Sequence, residues 1–406
     1  MNGSLVLVEP GAHRAGGHRH GTLTALAAAH GNALVVAPYG VAAESAIALE
    51  KAGARVTGPV GRLPRMLAAG AVVAERLAGA GREAFASRRW PAVVRRVPHQ
   101  VTLLARCLVE AACVRTAHRL AGGAAVVVLS ASEALHSAAG LLGGPHIRFV
   151  HEVVTAEGAV VRLLGRLAAG GGQRVVVLAP TDAVRDEVTG RFPGLRVRVR
   201  PFAVADPGER LSDAERRQAR DAFGIPAAEA ALCLVGGWWP YKDIAVVDNA
   251  LGWLDRPLHL LVAGAPLDQE VLDRWAALPA VRLHVVPGPA SQERVRAVYA
   301  AADAALVARR PGVGKESGLV VDAVRLGVPL LLSDHDPALS VRLTGQDWVQ
   351  IFPAGDGARL AALLCDLAWA PPPRPAPGTA AVLGVPTAAG QAGFLTRIVT
   401  ESKEPQ

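Results

Sequence analysis

Lysine, cysteine and aromatic residues are all scarce in this 406-residue chain, and each scarcity narrows what the protein can be. Four cysteines, Cys107, Cys113, Cys233 and Cys365, are scattered without C-x-x-C spacing. They sit in apolar helix or strand patterns, where a thiol behaves as a small hydrophobe, so neither a zinc site nor a disulfide framework is expected. Aromatics amount to 4%, with no run of basic and aromatic residues, so a base-stacking platform is lacking and nucleic acid is not an expected partner. The N-terminus, Met1-Asn-Gly-Ser-Leu-Val-Leu-Val, reads as a first strand without a basic leader. The most apolar later segment, Ala121–Gly144, is interrupted by Glu133 and His136 and makes no clean membrane span. The expected location is cytoplasmic.

What is present is globular: 51% apolar and 19% charged residues, in a length that predicts two domains or three. The net charge of +8 fits an anionic ligand or an acidic membrane surface. Short apolar runs alternate with longer amphipathic ones, the mark of parallel βαβ units. Predicted strands are Leu5–Glu9, Ala33–Ala37, Val56–Pro59, Ala125–Leu129, Ile147–His151 and Val175–Ala179. After a strand-to-linker stretch, Arg196–Pro207, the alternation restarts at Ala231–Gly236, His259–Gly264, Val281–Val286, Ala304–Val307 and Leu330–Ser333. The fold class read from this is α/β, with two doubly wound parallel-sheet (Rossmann-like) domains facing a cleft. The predicted boundaries are 1–204, 205–385 and a C-terminal helix and tail at 386–406, the last expected to pack back on the N-terminal domain. Pro371–Pro377 reads as a spacer.

Only four of the 43 basic residues are lysine, and two of these, Lys242 and Lys315, sit in glycine-flanked turns between a predicted strand and a predicted helix. A compact ammonium beside free backbone N–H groups suits phosphate. Ligands of open parallel sheets bind beyond the carboxyl ends of the strands, so the residues there are the candidates. After the first strand, Gly16 and Gly17 allow close backbone approach, although the spacing is not the dinucleotide fingerprint G-x-G-x-x-G. His18 and His20 in the same loop either face a ligand or are simply solvated. His151, ending the fifth strand, either contacts a sugar hydroxyl or caps the strand. Trp238 and Trp239 either stack on a ligand or pack the domains together. The richest segment runs from Asp303 to Asp334: Arg309 and Arg310 precede Gly312-Val-Gly-Lys315-Glu316-Ser317-Gly318-Leu319, and Asp322 lies six positions after Glu316. Carboxylates accept from ligand hydroxyls, while the Ser317 and Gly318 N–H groups suit phosphate.

Glu316-Ser-Gly-Leu-Val-Val-Asp322-Ala-Val-Arg-Leu-Gly-Val-Pro-Leu-Leu-Leu-Ser-Asp334 resembles the donor element of the retaining GT-B nucleotide-sugar glycosyltransferases called glycosyltransferase group 1. Val235-Gly236…Pro240-Tyr241-Lys242, Tyr299-Ala-Ala-Ala-Asp303, Gly16-Gly17 and Ala179-Pro-Thr181 support the resemblance, which spans most of the chain and is more specific in its second half. It implies a transferase moving a sugar from a UDP- or GDP-type donor to a hydroxyl acceptor with retention of configuration. It further implies that Lys242 neutralises the donor diphosphate and that Gly236, Lys315, Ser317, Gly318 and Leu319 line the donor. Glu316 would contact the sugar hydroxyls, Asp322 the ribose and His151 the transferred sugar. Gly16-Gly17 would close over phosphate or acceptor, with His18 and His20 on the acceptor side. No metal or cofactor is required. The chain departs from the family at Gly237, where arginine is usual and for which Arg309, Arg310 or Lys315 are candidate replacements. It departs again in the second acid, which is an aspartate two residues closer to the first.

Two rival readings remain at this stage: a UDP-sugar epimerase of the same build, and a silent sugar-nucleotide-binding subunit, which the missing arginine favours. The arginine-studded segment Arg62–Arg96 reads as one or two helices. Ordinary solvated faces are favoured there over membrane-surface association.

Overall fold

The computed structural model describes residues 5–13, 18–84, 91–129, 134–153, 158–170, 174–206, 209–288 and 290–401. Two compact units emerge. One runs to Val204 and takes in the C-terminal segment from Thr387; the other is Ala205–Pro386.

The first unit contains β1 (Leu5–Val8), α1 (His18–His30), β2 (Leu34–Val36), α2 (Ala43–Lys51), β3 (Arg55–Thr57), α3 (Arg62–Ala84), α4 (Ala92–Leu120) and β4 (Ala125–Val128). A short 3-10 turn then leads to α5 (Ala139–Gly143), β5 (His146–Phe149), α6 (Ala159–Gly170), β6 (Val175–Ala179), α7 (Asp182–Arg191) and β7 (Arg196–Val199). Its seven strands are ordered β3-β2-β1-β4-β5-β6-β7, with every recorded pairing parallel. The central strands β1, β4 and β6 are apolar throughout because helices cover both faces, while β5 carries the buried His146 and Arg148. Leu5 and Leu7 join a core with α1 and α2, while Val6 and Val8 join one with α3 and α4. By length and composition α4 could cross a membrane, yet its Leu103, Cys107, Ala111 and Val114 are buried in the unit's core.

The second unit contains α8 (Asp213–Phe223), β8 (Ala230–Val235), α9 (Ile244–Leu251), β9 (Leu258–Ala263), α10 (Gln269–Ala276), β10 (Val281–Val286), α11 (Gln292–Ala301) and β11 (Ala304–Val307). It continues with α12 (Gly318–Leu326), β12 (Leu330–Ser333), α13 (Pro337–Leu343), β13 (Val349–Phe352) and α14 (Gly357–Leu367). The order is β10-β9-β8-β11-β12-β13, again parallel. The strand order therefore reverses between β8 and β11, and ligands of such sheets bind beyond the carboxyl ends at that point.

The last helix, α15 (Ala388–Glu401), belongs to the first unit: Leu395 and Ile398 enter its core. Arg200 Nε donates to Gln391 Oε1 at 2.6 Å, and Gln391 Nε2 donates to the Pro201 carbonyl at 2.9 Å.

Candidate functional site

The turn after β8 is shaped by glycines under unusual constraint. Gly236 has φ +86°, in the left-handed region, and a side chain at Gly237 would place its Cβ 2.2 Å from the Ala265 carbonyl oxygen. A side chain at 237 would therefore collide with backbone in this turn. The chain then turns through Pro240 and Tyr241 to Lys242, whose ammonium folds back over the turn. Lys242 Nζ donates to the carbonyls of Val235 at 2.7 Å and Gly236 at 2.9 Å.

Across the switch point, the segment after β11 forms an isolated antiparallel bridge between Arg309 and Lys242. Arg310 N donates to the Tyr241 carbonyl at 3.0 Å and Asp243 N to the Ala308 carbonyl at 3.2 Å, so the two turns are stitched together. Arg309 N is further fixed by Ser333 Oγ at 2.9 Å. Its guanidinium donates from Nη1 to the Lys315 carbonyl at 3.0 Å and lies 5.3 Å from the centre of the Tyr241 ring, which Lys315 Nζ approaches to 5.8 Å. Both lysines singled out in the sequence thus converge on one locus.

Burial sets the electrostatics. Lys242 and Arg309 are 6% and 5% exposed. Desolvation, then the Arg309 charge, lowers the Lys242 pKa from its ordinary value to about 7. Burial also lowers that of Arg309, and its Nε is buried without a hydrogen-bond partner among the described residues. His335, missed in the sequence reading, lies beside them at 1% exposure. Its Nδ1 donates to the Ser333 carbonyl at 2.8 Å, and burial, then Arg309, drives its pKa to about 4. The signal was its place just after β12, at the carboxyl edge.

The remaining donor-side candidates gather at the N-terminus of α12. Ser317 caps the helix, its Oγ accepting from Val320 N at 3.4 Å, and the first N–H groups of a helix have no intrahelical partner. A Cβ on Gly236 would lie 3.1 Å from Lys242 Nζ and 3.7 Å from Leu319, so this helix end abuts the lysine turn. Gly318 opens the helix, and Glu316, half-buried, immediately precedes its cap. Asp322 sits elsewhere on α12. Its Oδ1 accepts from Arg325 Nε at 3.0 Å, Arg325 Nη1 pairs with Glu209 at 2.7 Å, and burial raises the Asp322 pKa against the pull of Arg325. That carboxylate is engaged inside the protein.

Several expectations need correcting. Trp238 neither reaches out to stack on a ligand nor leaves its own unit: it packs on Trp275 at 5.2 Å within the second core. Trp239 is half-exposed. His20 is not a loop residue, because α1 begins at His18. Its Nδ1 is hydrogen-bonded to Ser45 Oγ, and burial, only partly opposed by Glu44, lowers its pKa. Gly16 and Gly17 lie outside the described residues, as does the side chain of His18. His151, in the first unit, donates from Nε2 to the Leu129 carbonyl at 3.3 Å with its ring edge-on to Phe202. Among the described residues no cluster of three or more His, Cys, Asp or Glu could hold a metal ion. A depression of about 250 Å³ lined by Arg115, His118 and Arg174 lies by the amino ends of β5 and β6, away from the switch points.

Solved structures place this architecture. The chain aligns over 98% of its length with 98% of HepE from Anabaena, crystallised with UDP-glucose, at TM-score 0.61 and 14% identity. The fold is GT-B. WaaG, a glycosyltransferase involved in lipopolysaccharide biosynthesis, matches over 98% of both chains at TM-score 0.52 and 15% identity. The N-terminal domain of the trehalose-6-phosphate phosphatase of Candida albicans matches over 100% and 98% at 0.62 and 10%. No protein-family model and no curated protein matches the sequence. At such identities the GT-B likeness shows the fold alone, and the chemistry has to be argued from the residues.

Proposed function

We propose that the protein is a retaining glycosyltransferase, moving a hexosyl or related sugar from a UDP- or GDP-type donor to a hydroxyl acceptor. One observation carries the reading: two buried cations, Lys242 and Arg309, stand side by side at the carboxyl ends of β8 and β11. Desolvated like charges are costly, and an anion from outside relieves that cost. The N-terminus of α12 adds the partial positive charge of its free N–H groups. A diphosphate would meet Lys242, Arg309 and the Ser317–Leu319 amides. Lys315 and Glu316, on the same loop, would meet phosphate and sugar hydroxyls. UDP-glucose in HepE supports this donor class.

In the reaction the bond from the anomeric carbon to the diphosphate oxygen breaks, and the acceptor oxygen bonds to that carbon on the same face. The acceptor proton passes to the departing phosphate. Cations already in place stabilise the leaving charge without reorganisation. Arg309 would take the part of the arginine that Gly237 replaces, and in that role the main argument for a silent subunit falls away. The role of His151 at the transferred sugar rests on the resemblance, as does the ribose contact of Asp322.

The test is thermal stabilisation by a panel of nucleotide sugars, where ligand at 100 times its dissociation constant adds about 2.7 kcal/mol. Transfer to added acceptors, read by NMR, follows. Stabilisation by none of the panel would overturn the reading, and conversion without acceptor would establish an epimerase.

A further inference from the structure

We propose that the outward face of α3, with the adjoining start of α4, docks on an anionic lipid bilayer. The helix is built inside out. Its buried positions are small, with Ala71 and Ala78 at 0% and 2% exposure. Four of its large apolar side chains face away, Leu63, Met66, Val73 and Leu77 being 45%, 62%, 56% and 66% exposed, while Leu67 and Val72 are half-buried. A helix of a soluble domain normally turns its large apolar residues inward. Leu63, Met66, Val73 and Leu77, with Gly70 between them, fall at alternate steps of three and four, so they form one stripe. It is about 21 Å long at the α-helical rise. Val97, 45% exposed, extends the apolar surface onto α4.

Charge selects the occupant. Arg62, Arg65 and Arg76 are exposed along this face, and Arg95, Arg96 and His99 are exposed at the start of α4. Among the described side chains of α3 no carboxylate is exposed, Glu75 being half-buried. The spacing would also suit a seam with a second copy, but that copy would bring arginines against arginines with no exposed carboxylate among the described side chains of α3 to answer them. A surface of anionic headgroups over acyl chains answers both features: arginines pair with the headgroups while the apolar stripe enters the boundary beneath. The sequence reading preferred solvated helix faces because it could not tell which way the large residues point.

The test uses the full chain and extruded vesicles of phosphatidylcholine, with and without phosphatidylglycerol. Co-sedimentation is expected with the anionic vesicles, declining with salt, and not with neutral ones. Removing the three arginines together (R62A/R65A/R76A) should weaken partitioning about 100-fold. M66E/L77E should abolish it even at low salt. All these positions are exposed, and unchanged thermal midpoints in both variants confirm intact folding. Equal binding to both vesicle types, binding to neither, or unaltered binding by both variants overturns the proposal. A dimer in sedimentation velocity that M66E/L77E dissociates, without vesicle binding, assigns the face to a second copy instead.

Discussion

Lys242 and Arg309 pair backbone to backbone across an isolated antiparallel bridge, which carries two buried cations from different strands into one site. Their adjacency depends on β8 and β11 being neighbours in the sheet, although about seventy residues separate the two in sequence. Truncating either should cost transition-state stabilisation of about 2–4 kcal/mol, the typical loss on removing one donor to a developing oxyanion. Lys242→Ala and Arg309→Ala should therefore lower transfer rates by about 30- to 1000-fold, measured as kcat/KM for the donor found in the panel. Unchanged turnover in Arg309→Ala would deny it the place of the missing arginine.

The depressed Lys242 pKa should make donor binding pH-dependent. In the free protein the ammonium titrates at about 7, and a bound diphosphate favours the charged form. The donor-bound pKa is then the higher of the two, so affinity is full below about 7 and falls as pH rises through the window between them. The slope there is about tenfold per pH unit. Calorimetric titration from pH 6 to pH 9 should show this decline, and Lys242→Met should show weaker binding with the slope removed. A flat wild-type profile would mean that the ammonium does not face the anion.

Gly237 should tolerate nothing larger. A Cβ 2.2 Å from the Ala265 carbonyl oxygen is far inside contact distance, and the obstructing atom is backbone. Overpacking of this kind costs about 1–3 kcal/mol or more. Both Gly237→Ala and Gly237→Arg should lower the midpoint of chemical denaturation, and Gly237→Arg should not raise activity. An active, fully stable Gly237→Arg enzyme would show that the turn adapts freely.

Asp322 offers a test between two roles for one carboxylate. The ion pairs to Arg325 and on to Glu209 describe a structural link between α12 and the segment before α8. With that role, Asp322→Ala leaves Arg325 half-paired and destabilises by about 1–3 kcal/mol while donor affinity holds. With the ribose role that the resemblance implies, donor affinity falls instead and stability holds. Denaturation and titration on the same variant separate the two.

Much of this was legible because local signals agreed. The ends of α8 and α12 carry strong local signals: each follows a capping serine, Ser212 or Ser317, and ends at a glycine in the left-handed region, Gly224 or Gly327. β1, β4, β6 and β11 were readable as unbroken Val, Leu and Ala runs, since burial on both faces removes polar alternation. β13 was missed because Val349–Phe352 is a half-exposed edge strand with Gln350 in its middle. The segment Arg62–Arg96, read as one or two helices, already contains the start of α4 at Ala92, and that helix runs on through Pro98. At the site, Lys242, Lys315 and the α12 cap stood out as turn chemistry. His335, and the contact of Arg309 with Lys242, required the sheet order, which no local pattern contains.

A last expectation concerns the core of the first unit, where Glu110 on α4 meets Arg148 on β5 at 2.8 Å with His136 beside them. Burial alone would raise the Glu110 pKa, but Arg148 and His136 outweigh it and hold the carboxyl down at about 2, against an ordinary 4.5. The folded pKa is the lower one, so the stabilisation is present above about 4.5 and is lost as pH falls toward 2. Glu110→Gln removes the carboxylate charge that meets the buried Arg148 guanidinium and should cost about 3–5 kcal/mol at neutral pH. The variant should also lose part of the wild-type dependence of unfolding on pH between 5 and 2. Replacing both partners, Glu110→Met with Arg148→Met, should restore most of the loss, because an apolar pair of similar volume removes both desolvation costs. A cost below about 1 kcal/mol for Glu110→Gln would show that water or a nearby group screens the arginine, and that this ion pair does not hold α4 against the sheet.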